Sequence, residues 1–445
     1  MDLVREVGGA RLPAVRRATT RTRPGEPGRN RGKPRLLYVS TFFPYPATGG
    51  GKLRVGNLLG RLSDTYAIHY LCLGLSDEEQ SPTALAQAEP FCESITVIPH
   101  APNQIRAALK VFMTLSPYEI NLFDNPEFAA AVRRLTAALQ PDVLWFSRLA
   151  AARYLDDKGG AMAVLDQHDL SSQLWRLMRH GAPQAWVRLF AAINGYLVER
   201  YERRIYPRFD VAVSVSEAER LLTRQRIVRG GGGPALLTAP NGVDLDYFAP
   251  AAPVSPATTR DLVLTGTMNQ RRNVDAAIYF ATEIFPRLAA RFENLRFVIV
   301  GKEPTRDVLE LRRIAGVVVT GAVPDVRPYL AQAAVIVAPY RFGSGVKHKV
   351  PIAMAMRKAI VSSTNGVQGL DVIHGRHVMI ADTPADFARH VAALLDDREL
   401  RDALGFKARE LAVEKYGWDG IVATLVAEIE AIRHRMEAAP PLAVP

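Results

Sequence analysis

From Leu36 onward the chain repeats one pattern: a short apolar run, then a stretch with helical spacing. That alternation is the mark of βαβ units and a parallel sheet. Two sets of runs occur. The first is Leu36–Ser40, Ala67–Leu73, Ile95–Pro99, Val143–Ser147, Val164–Asp166 and Val211–Val215. The second is Leu262–Leu264, Phe297–Val300, Val317–Thr320, Val335–Ala338, Ile360–Ser362 and Val378–Ile380. Between them lie the glycine run Gly230–Gly233, a flexible loop or a phosphate nest, and a Pro/Ala-rich linker at Ala249–Thr259.

The expected fold class is therefore α/β, with two Rossmann-like doubly wound domains facing a cleft. The expected division is a disordered basic arm at 1–34, one domain at 35–248, a linker at 249–260, a second domain at 261–437 and a tail at 438–445. Several helices can be placed from spacing and caps. Asp275–Leu288 carries apolar residues at helical intervals, and Thr383 with Pro384 starts a helix running through Leu395. Arg401–Lys415 and Trp418–Met436 read as two more.

The net charge of +11 raises the question of nucleic acid, but its distribution argues against it. Residues 1–35 hold ten basic and three acidic side chains, so most of the excess sits on a Pro/Gly/Arg arm without apolar periodicity. A nucleic-acid partner is not expected. Cys72 and Cys92 cannot build a disulfide framework or a four-cysteine zinc site, and Cys72 lies in an apolar run that reads as core. No apolar run reaches transmembrane length and no apolar segment follows the Arg-rich start. The expectation is a cytoplasmic protein, with contact to the inner face of the membrane through Trp186, Arg188, Leu189 and Phe190 near Arg200, Arg203 and Arg204; a core-facing helix is the other reading of that stretch.

Four strand-to-helix junctions carry residues suited to anions. Gly49-Gly50-Gly51-Lys52-Leu53-Arg54 follows the first strand; it is either a phosphate site at a helix start or a plain turn. Asp166-Gln167-His168-Asp169 puts a histidine just past a strand end, for acid/base work or as a helix cap. Gly266–Asn273 carries Arg271 and Arg272, a diphosphate clamp or a solvated loop. Gly343-Ser344-Gly345-Val346-Lys347-His348-Lys349 combines glycine backbone with two lysines where a helix begins. Cations there oppose the helix dipole unless an anion is present, which favours a bound anion. Asp244-Leu245-Asp246 reads as a turn rather than a metal bridge, and no metal ligand cluster is expected.

The order of motifs then becomes specific. Pro240-Asn241-Gly242-Val243-Asp244, Gly266–Phe280, Val300-Gly301, Thr320–Val326, Ala338–Met356 and Asp382–Trp418 resemble the family-4, group-1 glycosyltransferases of GT-B fold. Phe43-Pro44-Tyr45-Pro46 with the glycines and Arg54 is similar to the exopolysaccharide-type members. The resemblance covers residues 36–430 and implies an enzyme that moves a sugar from a nucleotide-sugar donor to a glycan or lipid-linked acceptor, with retention and no obligatory metal or cofactor. It implies a nucleotide-sugar-binding C-terminal domain and an acceptor-side N-terminal domain. Donor-binding roles fall on Gly50, Gly51, Arg271, Arg272, Val323, Gly343, Ser344, Gly345, Val346, Lys347 and Lys349. Catalytic roles fall on His168 and Asp169, and Arg54 falls on the acceptor side.

One departure from the pattern bears on activity. The family places a glutamate, which accepts bonds from the ribose hydroxyls, where this chain has Ile352. Losing a bond of that type costs about 1.5–3 kcal/mol, or about tenfold to a hundredfold in affinity. Gln368 also stands where related sequences often carry glutamate. A non-catalytic nucleotide-sugar-binding or scaffold protein of the same fold is the alternative reading. A sugar-nucleotide epimerase is a third.

Overall fold

In the computed structural model the described residues are 19–22, 32–47, 49–181, 184–228, 232–250, 260–343 and 346–438. They form two compact units, one of residues 1–240 with 422–445 and one of residues 241–421.

The first unit holds a sheet in the order β1-β4-β3-β2-β5-β6-β7-β8. Its strands are β1 (Thr19–Thr22), β2 (Arg35–Ser40), β3 (Ala67–Gly74), β4 (Ser94–Pro99), β5 (Val143–Ser147), β6 (Met162–Asp166), β7 (Val211–Ser214) and β8 (Ala235–Thr238). All pairings are parallel except β1 with β4. Central strands such as β2 from Leu36 and β5 are buried and mostly apolar, because helices cover both faces of a parallel sheet. Cys72 and Cys92 are buried free thiols.

The second unit holds six parallel strands in the order β11-β10-β9-β12-β13-β14. These are β9 (Arg260–Thr265), β10 (Leu295–Val300), β11 (Val317–Gly321), β12 (Val335–Ala338), β13 (Ile360–Ser362) and β14 (Met379–Ile380). One apolar core runs through it from Leu262 to Tyr416.

The structure departs from the sequence expectations at several points. Part of the expected disordered arm is ordered: Thr19–Thr22 adds an antiparallel strand to the edge at β4, where threonine suits extended backbone. The rest of the arm, 1–18 and 23–31, lies outside the described residues, as do 251–259 of the linker and 439–445 of the tail. β8 was not expected, since its four residues lie between a glycine run and Pro240. Gly230 and Gly231 lie outside the described residues.

The helix expected over Asp275–Leu288 is broken into Arg271–Tyr279, a wide π turn at Phe280–Ile284 and Phe285–Ala289. Pro286 has no N–H to donate to the carbonyl four residues back, so the regular ladder cannot continue through it. The unit boundaries also differ from the expected domains. The last helix, Trp418–Ala438, was expected to stay with the second domain, but residues from Val422 onward group with the first unit. There Tyr66 Oη donates to Glu430 Oε1 at 2.5 Å, and Arg433 pairs with the same carboxylate. The cap at Thr383 is present: its hydroxyl accepts from the Asp386 N–H at 3.2 Å.

Candidate functional sites

In the first sheet β2 has β3 on one side and β5 on the other, so the strand order reverses between β2 and β5. Ligands of doubly wound sheets bind outside the carboxyl ends of strands at such a point. The register brings Ser40, Ser147 and Asp166 level there, as the last residues of β2, β5 and β6.

Asp166 is fully buried. Burial alone would raise its pKa, but Arg54 and then His168 overcome that and hold the carboxyl well below its usual range. Arg54 Nη2 meets Asp166 Oδ1 at 2.7 Å, and Nη1 donates to the Ala239 carbonyl at 2.9 Å. This corrects the acceptor-side expectation for Arg54. Its guanidinium is buried and bonded to Asp166 and the Ala239 carbonyl.

His168 sits in left-handed backbone, φ 56°, and is itself buried. Its Nε2 is 2.9 Å from Ser147 Oγ and 3.3 Å from Asp166 Oδ2. Burial lowers its pKa against the opposing pull of Asp166, with Arg148 and Arg54 adding to the lowering, so the imidazole is neutral near neutral pH. With the proton assigned to Nε2 by the Asp166 carboxylate, Nδ1 carries the lone pair. Nδ1 is directed at Gly51: a Cβ there would lie 3.5 Å from it, 3.3 Å from Arg148 Nη2 and 3.7 Å from Phe42 Cζ. Gly51 stands in the first turn of the helix Gly50–Leu62, whose N-terminal amides are available to an anion. Gly50 has open space around its Cβ position.

Arg148 is a site residue that the sequence did not reveal. It follows β5 directly, with φ 75° and ψ 156°, a region that side chains other than glycine rarely adopt. Its guanidinium lies over the Phe42 ring at 5.1 Å from the centroid. Asp169, expected beside His168 as a catalytic residue, is exposed, and its charge acts instead on Glu219. Burial first, and Asp169 second, push the Glu219 carboxyl up to about 7.

The unit also has a groove of about 830 Å³ lined by Gln140, Asp142, Lys158, Met162 and Arg433 among others. It lies at the amino ends of β5 and β6, opposite the loops just described. Its charges include pairs such as Arg433–Glu437, and none of the candidate site residues line it.

The second sheet reverses between β9 and β12, and the cations gather at that point. Arg272 opens the helix after β9, while Lys347 and Lys349 follow β12. Burial first, and the nearby Arg272 charge second, together lower both lysine pKa values to about 8. Lys347 Nζ donates to the Gly343 carbonyl at 2.9 Å, and Asn365 Nδ2 donates to the same oxygen at 3.2 Å. Gly343 has φ 119°, and a Cβ on it would meet Arg272 Cδ at 3.4 Å and Lys347 Cε at 3.6 Å. Among the described residues, the charge that acts on Lys349 is that of Arg272, with no carboxylate opposing it. The half-buried Arg272 thus acts on both the buried Lys347 and the half-buried Lys349, which gathers positive charge at this switch point.

Of the paired arginines, Arg272 belongs to this cluster; Arg271 is exposed. Val323 and Val346 are half-buried nearby in sequence order, on the loops after β11 and β12, and Ser344 and Gly345 lie outside the described residues. Ile352 lies half-buried on the helix Lys349–Ala355 and packs against the core. Asp244 accepts the N–H groups of Asp246 and Tyr247, so Asp244–Asp246 is a turn. Among the described residues no group of His, Cys, Asp and Glu is placed to hold a metal ion.

Residues 259–397 match the family model described as Glycosyl transferases group 1. That match lies within the second unit, and the two parallel-sheet units have the GT-B fold. It is 19% identical to an uncharacterised 44.6 kDa protein in the cps region of Klebsiella pneumoniae, over 88% of this chain and 99% of that one. Among solved structures it is similar to sucrose-phosphate synthase from Thermosynechococcus elongatus, at 18% identity and a TM-score of 0.64, covering 91% of this chain and 100% of the other. It is likewise similar to HepE of Anabaena in complex with UDP, at 13% identity and a TM-score of 0.62, covering 89% and 100%.

Proposed function

We propose that the chain transfers a sugar, with retention, from a nucleotide-sugar donor to a glycan or lipid-linked acceptor in the synthesis of a bacterial surface polysaccharide. The observation that carries this reading is the Arg272, Lys347 and Lys349 cluster at the switch point of the second sheet. In the transfer, the acceptor oxygen bonds to the anomeric carbon while the bond from that carbon to the diphosphate oxygen breaks, and the acceptor hydroxyl's proton passes to that departing oxygen. The electron pair leaves with the diphosphate, and fixed cations stabilise the charge that develops there. His168, neutral and with Nδ1 open toward Gly51, accepts a hydrogen bond from a sugar hydroxyl. Arg148 supplies a cation beside it. UDP bound to HepE and the cps-region setting of the Klebsiella relative support the donor class and the polysaccharide context.

The test is incubation with a panel of nucleotide-sugars and lipid-linked acceptors, followed by assay of released nucleoside diphosphate. Release dependent on an acceptor supports the reading; no release across a broad panel removes it. Ile352 favours a second reading, a protein that binds the nucleotide-sugar without turnover. Nucleotide binding by calorimetry with no product on that panel would select it.

A further inference from the structure

The first unit exposes an apolar face that the transfer chemistry does not use. The helix Gln104–Thr114 presents Ile105, Leu109, Phe112 and Met113 to solvent, with Ile105 77% and Met113 80% exposed. These positions fall at intervals of four, three and one, which is one side of a helix. The opposite side, Ala107 and Val111, is the buried one. The helix ends at Leu115, which is held in left-handed backbone and is also exposed.

A second apolar edge adjoins it. The helix Ala185–Ile205 begins with Trp186 and Leu189, both more than half exposed. The two helices meet where the Phe112 and Phe190 rings lie 6.1 Å apart. Beneath, Tyr118, Trp175 and Phe190 pack edge to face at 5.9–6.2 Å and hold both helices in place. Soluble monomers rarely leave so many large apolar side chains contiguous and wet.

The charges around the face select what covers it. No acidic residue occurs from 94 to 118 or from 170 to 198. The same stretches carry Arg106, Lys110, Arg176, Arg179 and Arg188. Lys110 pairs with Asp124 and Arg176 with Glu199, while Arg106 and Arg179 are exposed and give the rim its basic character. Two copies of such a face repel each other, whereas an anionic lipid surface attracts it. An apolar face with a basic rim and aromatic residues at its edge is the composition of an interfacial helix pair.

We infer that this face seats the protein on an anionic lipid bilayer, with the apolar side chains of both helices entering the headgroup boundary. Gln104–Thr114 follows β4, and Ala185–Ile205 is reached from β6 through the His168 loop and the helix Ser171–Gly181, so the lipid surface would lie at the carboxyl end of the sheet. The inference does not rest on the transfer reading, because binding to lipid is measured without turnover.

The experiment is co-sedimentation of the full chain with vesicles of phosphatidylcholine alone or with about 30% phosphatidylglycerol. The expected result is binding to the anionic vesicles that weakens with salt and is absent on phosphatidylcholine alone. A variant with Ile105→Ser, Met113→Ser and Trp186→Ser should bind about tenfold more weakly or worse. All three side chains are exposed, so its melting temperature should match wild type. A second variant, Arg106→Glu with Arg179→Glu, should lose the anionic preference. No binding by the wild type at low salt would overturn the proposal. So would unchanged binding by the folded triple variant, which would move the contact elsewhere, including the basic N-terminal arm. A wild-type dimer that the triple variant abolishes, with no vesicle binding, would assign the face to self-association instead.

Discussion

Arg54 and Asp166 form a buried ion pair, 2.7 Å from Nη2 to Oδ1, that joins the first helix to the carboxyl end of β6. Asp166 in turn pairs with His168, so the arginine bears on the imidazole through one intermediary. Removing one partner strands the other as a buried charge. Arg54→Met or Asp166→Asn is expected to cost about 3–5 kcal/mol in chemical denaturation. The double variant Arg54→Met with Asp166→Leu should recover much of that loss. Because the folded-state pKa of Asp166 is depressed, the pair's contribution is full above the unfolded carboxylate value of about 4 and is lost as pH falls toward the folded one. Acid titration of stability should show that loss in wild type and not in the double variant.

The imidazole of His168 should act in its neutral form. Its pKa is lowered by burial, so, once the pH is below the range near 8 where Lys347 and Lys349 titrate, kcat/KM is expected to stay flat down through the ordinary histidine value of about 6.5 and fall only below it. His168→Asn should retain part of the activity, since asparagine tolerates φ 56° and offers an acceptor oxygen. His168→Ala should lose about tenfold to a hundredfold in kcat/KM. A drop in rate that begins above the ordinary histidine value would contradict a neutral acceptor at this position.

Gly51 separates a folding role from a binding one. Its φ is not in the left-handed region, so Gly51→Ala introduces no backbone strain and the melting temperature should not fall. The new methyl would occupy the space between Arg148 Nη2 and His168 Nδ1. Activity should drop about tenfold or more in kcat/KM, and Arg148→Ala should lower it by a similar amount with the fold intact. Wild-type kinetics in Gly51→Ala would mean that the ligand does not enter this space.

Much of the fold was legible because a buried parallel strand must be apolar along its whole length. Runs such as Val143–Ser147 and Val335–Ala338 announced themselves with bounds that match the structure. Short strands flanked by breakers, such as Ala235–Thr238, carry too few residues for that signal. Thr19–Thr22 was hidden by the arginines around it. In the sites, glycines and lysines at strand-to-helix junctions were readable because the chemistry depends on local backbone. Arg148 was not, because its place over Phe42 and beside Gly51 arises from three separate strand ends meeting. The same reason misplaced Arg54: nothing local says that a residue on the first helix will be used up by Asp166, more than a hundred positions away.

Ile352 stands where the resemblance leads one to expect a group that binds the donor's ribose. If the helix Lys349–Ala355 lies along the ribose, Ile352→Glu should tighten binding of a nucleoside diphosphate by about tenfold or more in calorimetry. Unchanged affinity would place the ribose elsewhere.

Arg272, Lys347 and Lys349 are expected to hold a diphosphate, which calorimetric titration with UDP and GDP measures. The wild type should bind one of them. Arg272→Ala and Lys349→Met should each weaken it by about tenfold or more, since each removes a charge-assisted bond. Both lysines have pKa values near 8 without ligand, and a bound anion favours their charged forms. Binding should therefore take up protons near that pH and weaken as pH rises through it toward the unperturbed lysine value of about 10.4. Absence of binding to either nucleotide, or affinities indifferent to both substitutions and to pH across that range, would contradict the claim.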